Sequence, residues 1–393
     1  MEKTPLSMRT HISIFGNTNA GKSSLFNAIL GQPLAIVSEK SGTTADPVTK
    51  AFELIPYGPA ALIDTAGLGD NSPLGEKRME KTENVLNKTD FAIYAAASDD
   101  FDAAAYEEMK LKFEKKHIPH ILVFTKTDIA SKDMSEQFPD SIAVSVKDKA
   151  SIERLREYLI SHLSEMKKDE QSMIGTLLPA GSTVVMVVPI DSEAPKGRLI
   201  LPQVQLIRDC LDHNMKAVVT RETELNEVLT EQKKIDLVVT DSQVFKLVAE
   251  IVPENIPLTS FSMLSANMKC GLKELIEGAR AVDKLQNGSR ILMAEACTHN
   301  SSHEDIGRVK IPALLRKYTG KKLEFCFSAG CDFSGDLSDY DLVIHCGGCM
   351  MNPRAMQSRQ RLCIEHGVPM TNYGVVIAFV NGILKRAAEI FDV

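Results

Sequence analysis

The residues with the clearest chemical potential form a glycine-rich run from Gly16 to Ser23, GNTNAGKS. An apolar stretch, Ile12–Phe15, precedes this run, and an amphipathic stretch, Lys22–Leu30, overlaps its end. In a strand–loop–helix context the glycines let backbone N–H groups curl around phosphate groups at the helix N-terminus. The pattern predicts that Lys22 reaches the β- and γ-phosphates of a nucleotide and that the Ser23 hydroxyl binds Mg²⁺.

Further motifs follow other apolar runs, at the positions where parallel strands present ligands. The run DTAG ends a strand and predicts a Mg²⁺-associated aspartate, Asp64, and a γ-phosphate-sensing glycine, Gly67. The run TKTD places Asp128 where its carboxylate can accept hydrogen bonds from guanine N1–H and N2–H₂, a pair of donors that adenine lacks. Lys126 is expected to lie along the base, and Ser145–Lys147 to cover its edge.

The loop GTTAD contains Thr44, which we expect to complete the Mg²⁺ shell beside Ser23. These five motifs follow one another along the chain in the order that a GTPase requires, and together they predict a guanine-nucleotide site that hydrolyses GTP. Lys22, Asn19, Thr44 and Gly67 are expected to act directly in hydrolysis. The predicted nucleotide-binding residues are Gly16, Asn17, Asn19, Ala20, Gly21, Lys22, Ser23, Ser24, Asp64, Gly67, Thr125, Lys126, Asp128, Ser145, Val146 and Lys147.

Over about the first 165 residues the sequence resembles the GTPases related to the tRNA-modification and ribosome-assembly families. Thr125 stands where those families usually have asparagine, which leaves guanine selection to Asp128. Leu68 follows Gly67 where Ras-like enzymes place a water-orienting glutamine, so we expect slow intrinsic turnover. Asn19 matches the position that binds K⁺ in potassium-stimulated members, which implies a potassium-dependent switch.

The cysteines are unevenly distributed: none of the eight falls in the first 209 residues, and six fall in the last 97. In a reducing compartment such clustering indicates metal or redox chemistry more than disulfides. Cys297-Thr-His299 is followed, after 45 residues, by His345-Cys346-Gly-Gly-Cys349. We expect a helix to begin at Asn352 and Pro353, with its positive N-terminal dipole toward this loop.

Three interpretations of these cysteines remain open from spacing. A structural zinc site would use Cys297, His299, Cys346 and Cys349. An iron–sulfur cluster would use the three cysteines and leave the fourth iron open or weakly bound, with Glu304 among the weaker donors. Ordinary buried cysteines are the third interpretation, and Cys363, on a helical stretch, is expected to be core.

A C-x-H…H-C-x-x-C pattern after a P-loop GTPase resembles the maturation GTPases of iron-only (FeFe) hydrogenases, across the whole chain. The resemblance implies a 4Fe-4S cluster on Cys297, Cys346 and Cys349, with His299 and His345 as candidate ligands or their hydrogen-bond partners. It also implies a scaffold or carrier that receives the diiron subcluster precursor from two radical-SAM maturases and delivers it to the apo-hydrogenase. The middle segment resembles the family's dimerisation module, so a homodimer is expected.

The elements that position these motifs alternate between apolar runs and amphipathic stretches. They predict an α/β fold: a doubly wound parallel-sheet P-loop GTPase domain (1–170), then two smaller α/β domains, a dimerisation domain (175–270) and a cluster-binding domain (272–393). The last two share a weak internal echo. Ile235–Thr240 aligns with Tyr340–His345, and Ile256–Phe261 aligns with Val368–Tyr373, although generic buried strands would look alike.

The overall composition sets limits on location and partners. Hydrophobic residues at 44% and charged residues at 25% are typical of a globular protein, and the net charge of −7 argues against nucleic acid as the main partner. No apolar run is long enough to span a membrane, and the polar N-terminus predicts a cytoplasmic chain. The alternatives are an RNA- or ribosome-associated GTPase with an accessory metal-binding domain, and a GTP-regulated redox enzyme or sensor.

Overall fold

The computed structural model describes residues 4–31, 47–65, 81–130, 134, 137–166, 172–190, 197, 199–296, 306–330, 333 and 336–391. Contacts between residues divide the chain into two compact units, Met1–Glu170 and Gln171–Val393. The three-domain division expected from the sequence stays a prediction.

The first unit is built on one six-stranded sheet with the order β2-β3-β1-β4-β5-β6. Only the β2–β3 pair is antiparallel, and every other pair is parallel. The strands are β1 (Thr10–Phe15), β2 (Val48–Leu54), β3 (Gly58–Asp64), β4 (Phe91–Ala97), β5 (His120–Thr125) and β6 (Ser141–Ala143). The described helices with defined ends are α1 (Lys22–Leu30), α2 (Ala103–Lys115) and α3 (Lys149–Met166).

Helices cover both faces of this sheet. Leu25 of α1 and Leu159 of α3 belong to one apolar cluster with strand residues such as Ile14. Phe113 of α2 belongs to a second cluster, on the other face, with Phe15 and Phe124. Because successive strand side chains point to opposite faces, β1 contributes to both clusters. The doubly wound α/β fold predicted from the sequence is confirmed.

The second unit contains two four-stranded parallel sheets, ordered β10-β9-β7-β8 and β12-β11-β13-β14. The strands are β7 (Thr183–Val187), β8 (Lys216–Thr220), β9 (Leu237–Thr240), β10 (Leu258–Ser260), β11 (Arg290–Glu295), β12 (Glu324–Ala329), β13 (Leu342–His345) and β14 (Met370–Asn372). The helices are α4 (Leu201–Asp212), α5 (Leu225–Glu231), α6 (Phe245–Ile251), α7 (Phe261–Lys269), α8 (Leu272–Ala279), α9 (Ile311–Thr319), α10 (Pro353–Glu365), α11 (Tyr373–Val380) and α12 (Leu384–Ala388).

The two sheets have the same strand order when β7–β10 are matched in sequence to β11–β14. The strands that echo each other in the sequence, β9 with β13 and β10 with β14, occupy equivalent places. Ser260 caps α7 after β10, and Asn372 caps α11 after β14, each through a side-chain oxygen that accepts a backbone N–H. The sequence similarity between the two segments therefore accompanies a shared strand order. One apolar cluster includes residues of both sheets.

None of the helices in the described part of the chain combines the length and apolarity needed to cross a bilayer.

Candidate functional site

The glycine-rich loop connects β1 to α1 in the first unit. Gly16 has φ +142°, and a Cβ there would collide with the Ala95 carbonyl oxygen. Gly21 has φ +79° and forms the N-cap of α1. Asn19 adopts φ +65° and is exposed at the tip of the loop. Positive φ at these three positions bends the loop, and backbone of this kind can turn successive N–H groups toward a phosphate.

Lys22 lies in the first turn of α1 and is 7% exposed. Its Nζ donates to the carbonyl oxygens of Gly16 at 3.0 Å and Asn17 at 2.8 Å. Burial lowers the pKa of Lys22 to about 8, and the carboxylate of Asp64 partly opposes this lowering. The ammonium is thus held inside the loop, where an anionic phosphate group would compensate its charge.

Ser23 and Asp64 meet at the end of β3. Ser23 Oγ donates to Asp64 Oδ2 at 2.6 Å, and Asp64 is fully buried. Asp64 Oδ1 is buried without a hydrogen-bond partner among the described residues. Burial raises the pKa of Asp64, while the Ser23 hydrogen bond and the charge of Lys22 oppose the rise. A hydroxyl beside a carboxylate with an unpartnered oxygen fits the oxygen ligands that Mg²⁺ prefers.

Asp128 follows β5, where two side chains hold its carboxylate. Ser145 Oγ donates to Oδ1 at 2.9 Å, and Lys147 Nζ lies 2.8 Å from Oδ2. These hydrogen bonds, from Lys147 and then Ser145, lower the pKa of Asp128. Lys126 adopts φ +57°, and Val146, between Ser145 and Lys147 in sequence, is 47% exposed. The group expected to read guanine is therefore ionised and fixed at neutral pH.

Thr125 occupies the position where the resembling GTPases usually have asparagine. Its side chain is buried, and Oγ1 donates to the Ala20 carbonyl at 2.7 Å, with the Ala96 carbonyl at 3.3 Å. The hydroxyl therefore connects the strand that carries Asp128 to the phosphate loop. Ser24 is half-buried in the first turn of α1. Thr44, Gly67 and Leu68 lie outside the described residues.

The cysteine loop begins directly after β13 in the second unit. The Cys346 N–H donates to the Ala294 carbonyl at 2.9 Å, because β13 pairs with β11. Cys346 Sγ accepts a hydrogen bond from the Ala296 N–H at 3.1 Å. Burial raises the pKa of the Cys346 thiol, and hydrogen bonds from the Ala296 and Gly348 amides oppose this. Backbone donors aimed at sulfur stabilise a thiolate.

The loop turns at Gly348, which has φ +59°, and leads into α10. The Met351 N–H donates to the Gly348 carbonyl at 3.0 Å. Asn352 is the N-cap of α10, and Pro353 is its first residue. The predicted start of this helix is confirmed.

His345, the last residue of β13, is fully buried beneath the loop. Its Nε2 lies 2.6 Å from Arg359 Nη1, and its Nδ1 lies 2.6 Å from the Cys346 carbonyl oxygen. Burial, and then the charge of Arg359, lowers the pKa of His345 to about 3. The ring is therefore neutral, with Nδ1–H donating to the carbonyl and Nε2 accepting from the guanidinium. Both nitrogens are occupied by protein groups.

Two buried cations support the cysteine loop and were not anticipated from the sequence. Arg359 of α10 is 4% exposed and lies over the Phe333 ring. Lys269, the last residue of α7, is 2% exposed, and its Nζ donates to the Gly348 carbonyl at 2.8 Å. No local signal marks either residue, because basic side chains on helices are usually solvent-exposed.

The two thiols of the loop are of a ligand type that zinc and iron–sulfur clusters both take. Cys346 and Cys349 lie three positions apart across a turn, and amide N–H groups and cations face the sulfur of Cys346. No group of three or more potential metal ligands occurs among the described residues. Cys297, His299, His303 and Glu304 lie outside them. Cys363 is 1% exposed within α10, as the sequence predicted.

Models of known protein families match most of the chain. Residues 11–126 match a family described as 50S ribosome-binding GTPase. Residues 173–270 match the hydrogen maturase F dimerization domain, and residues 273–390 match the hydrogen maturase F tetramerization domain. The two maturase models together cover more than half of the chain, including all eight strands of the second unit.

Several individual relatives are GTPases that align with less than two fifths of the chain. The tRNA modification GTPase MnmE of Aquifex aeolicus is 30% identical over 152 residues, which is 38% of this chain and 33% of the relative. The GTPase Der of Wolinella succinogenes is 33% identical over 140 residues, 35% of this chain and 29% of the relative. The chain thus spans about a third of the length of these curated relatives.

A solved structure of S. thermophilus NFeoB bound to GMPPNP is 18% identical, with a TM-score of 0.31, over 38% of this chain and 60% of that one. The matches to the maturase domains, together with the GTPase domain that precedes them, identify the family. The chain belongs to the hydrogen maturase F family of FeFe-hydrogenase maturases.

Proposed function

We propose that this protein is a potassium-stimulated GTPase that serves as the iron–sulfur scaffold and carrier in FeFe-hydrogenase maturation. It would receive the diiron subcluster precursor and deliver it to the apo-hydrogenase. The observation that carries the proposal is the cysteine loop at the end of β13. There Cys346 accepts hydrogen bonds from backbone amides, beside buried cations, in a chain that also has a nucleotide loop.

In the nucleotide site, Lys22 would exchange its loop carbonyls for the β- and γ-phosphates. Ser23 and Asp64 would hold Mg²⁺, with Thr44 completing the shell and Gly67 contacting the γ-phosphate. The unpartnered Asp64 oxygen supports this assignment. Asn19 would bind K⁺, which offsets negative charge on the transferring phosphoryl group as an arginine does in other GTPases.

In the cysteine site, Cys346 and Cys349 would bind a 4Fe-4S cluster together with Cys297. Ala296, the described residue before Cys297, lies with its amide nitrogen 3.1 Å from Cys346 Sγ, which supports bringing the three cysteines together. A cluster bound by three thiolates leaves one iron available to bind and release the diiron precursor, which a cluster bound by four cysteines would not. His299 and Glu304 are candidates for the fourth position. His345 would support the loop.

GTP binding and hydrolysis would act as a timer for partner exchange. The loops proposed to reorder, Pro33–Lys50 and Leu68–Lys77, lie largely outside the described residues. The proposed partners are two radical-SAM maturases and the apo-hydrogenase, and the chain would act as a homodimer. If Lys22→Ala abolished GTP hydrolysis while purified partners still exchanged at the wild-type rate, the timer would be ruled out.

The test of the carrier role is a metal and sulfide analysis of anaerobically purified protein, with absorption and EPR spectra. We expect about four irons and four sulfides per chain, as in a 4Fe-4S cluster. One zinc per chain without sulfide would overturn the carrier role and would leave the nucleotide site unaffected. Delivery is then tested by adding the loaded protein to apo-hydrogenase and following hydrogenase activation.

A second candidate function is an RNA- or ribosome-associated GTPase. The match of residues 11–126 to a family of 50S ribosome-binding GTPases favours it. RNA that copurifies at physiological salt, and dissociates on GTP hydrolysis, would support this function.

A further inference from the structure

A buried lysine from α7 contacts the cysteine loop. Lys269 ends the helix that follows β10, and it is 2% exposed. Its Nζ donates to the carbonyl oxygen of Gly348 at 2.8 Å, across 79 residues of sequence. Gly348 lies between Cys346 and Cys349, so the ammonium is held at the turn that presents both sulfurs.

No carboxylate compensates this charge among the residues that the structure describes. Lys269 makes one hydrogen bond there, to the Gly348 carbonyl, and forms no ion pair. Burial lowers the pKa of Lys269, and the groups that oppose this lowering are the thiols of Cys349, Cys346 and Cys270, in that order. The groups near the ammonium that could carry negative charge are therefore cysteine sulfurs. An ammonium removed from water is costly unless an anion faces it.

A position at the end of a helix does not account for this burial. A lysine in the last turn interacts favourably with the helix dipole, but it does so equally well when its ammonium stays in water. Lys22 and Lys269 are the two buried lysines in the described part of the chain. Lys22 lies in a loop built for anionic phosphate groups. By the same physical argument, Lys269 lies in a place built for an anion.

We propose that Lys269 is the counter-charge of the iron–sulfur centre and tunes its reduction potential. This inference rests on the proposed function. Reduction adds one negative charge to a 4Fe-4S cluster held by thiolates such as those of Cys346 and Cys349. A fixed cation beside it stabilises the reduced form more than the oxidised form, which raises the potential. Because Lys269 belongs to the segment matched by the dimerization model, that segment would contribute to the properties of the cluster.

The experiment uses the full chain, reconstituted anaerobically with iron and sulfide and titrated electrochemically with EPR detection. Lys269→Met keeps the volume of the side chain and removes its charge. We expect a more negative midpoint potential, with the reduced-to-oxidised ratio at a fixed potential about tenfold lower, which corresponds to about 59 mV for one electron. Lys269→Arg keeps the charge and should return the potential toward wild type.

Lys273→Met is the matched control, because Lys273 is exposed on α8 and its loss changes the net charge equally. We expect no change in potential for this variant, since solvent screens an exposed charge. A Lys269→Met potential equal to that of Lys273→Met would overturn the proposal.

If Lys269→Met does not retain the cluster, its potential cannot be measured. The proposal is then tested by comparing the urea unfolding midpoints of the cluster-free variant and the cluster-free wild type. Removing an uncompensated buried charge should leave the urea midpoint of the variant equal to or above wild type. A lower midpoint would mean that Lys269 is only a structural tether, and would overturn the proposal. A wild-type chain that binds no cluster contradicts the proposed function instead.

Discussion

The hydroxyl of Thr125 donates a 2.7 Å hydrogen bond to the carbonyl oxygen of Ala20. The bond joins the end of β5 to the glycine-rich loop, and Asp128, the residue expected to read guanine, follows three residues later. In the resembling GTPases an asparagine usually occupies this position. The threonine is shorter and has a single donor, which the bond to Ala20 uses. One buried hydroxyl therefore connects the two loops in which the nucleotide site is predicted.

Replacing Thr125 with valine should weaken nucleotide binding. Thr125→Val is nearly isosteric and leaves the Ala20 carbonyl without its donor. We expect GTP affinity about fivefold weaker, and a free energy of unfolding lower by about 1 kcal/mol, the contribution of one hydrogen bond. Fluorescence titration and urea unfolding would measure these effects.

Ser98→Ala is the matched control, because Ser98 Oγ donates to the Thr125 carbonyl rather than to the phosphate loop. This variant should lose similar stability while its GTP affinity changes less than about twofold. Equal affinities for all three proteins would show that the Thr125–Ala20 bond does not couple the two halves of the site.

Replacing Asp128 with asparagine should change base selection. The carboxylate can accept from both N1–H and N2–H₂ of guanine, whereas an amide offers one acceptor and donates to the O2 of xanthine. With two charged hydrogen bonds affected, GTP affinity should fall at least about 100-fold, and xanthosine triphosphate should bind better than GTP. Competition binding with both nucleotides measures the switch. An Asp128→Asn protein that still prefers GTP would exclude this residue as the guanine reader.

Nucleotide binding should be linked to protonation of Lys22. Burial lowers its pKa from 10.5 to about 8 in the free protein, and bound phosphate groups would raise it again. Between about pH 8 and pH 10.5 the free protein then lacks a proton that the complex holds, so GDP affinity should fall as pH rises through this window. Calorimetry at pH 9 in two buffers of different ionisation enthalpy should show proton uptake. Lys22→Met should show less uptake, since only the titration of guanine remains, and equal uptake would refute the linkage.

The sequence was sufficient to predict those parts of the fold that depend on residues close together in the chain. The phosphate loop was predictable because its strand, glycines, Lys22 and helix occupy consecutive residues. The buried parallel strands were predictable because both faces are covered, so each reads as an apolar run. The antiparallel edge strand β2 was not predicted, since most of its residues are at least partly exposed and alternate weakly.

The contacts that complete the cysteine site were not predictable from one sequence. Lys269 meets Gly348 across 79 residues, and Arg359 meets His345 across 14. Their pairing depends on how α7 packs against α10 beside the loop that follows β13, which no spacing rule encodes. The family resemblance implied that His345 is either a cluster ligand or a hydrogen-bond partner of one. Both of its nitrogens lie in hydrogen bonds to protein groups, an arrangement that the sequence did not distinguish from ligation.

Cluster binding should require Cys346 and Cys349 of the loop and should not require Cys363 of α10. Cys346→Ser and Cys349→Ser should each lose most of the iron and sulfide, because an alcohol is a poor ligand for iron–sulfur clusters. Cys363→Ala is the control: its thiol is buried in the core of α10, so the variant should lose about 1–2 kcal/mol of stability and keep its iron. Iron and sulfide analysis after anaerobic reconstitution measures both. Full iron in Cys346→Ser would remove the loop from the proposed site.

His345 should position the loop without binding iron. Its Nδ1–H holds the Cys346 carbonyl, and its Nε2 accepts from buried Arg359. His345→Ala would leave the guanidinium with one acceptor fewer, so we expect a free energy of unfolding lower by about 1–3 kcal/mol and reduced iron content. The cluster that remains should have wild-type g values and the same nitrogen hyperfine couplings in pulsed EPR. Loss of a histidine nitrogen coupling in His345→Ala would instead show that the ring leaves its two hydrogen bonds and ligates iron when the cluster is bound.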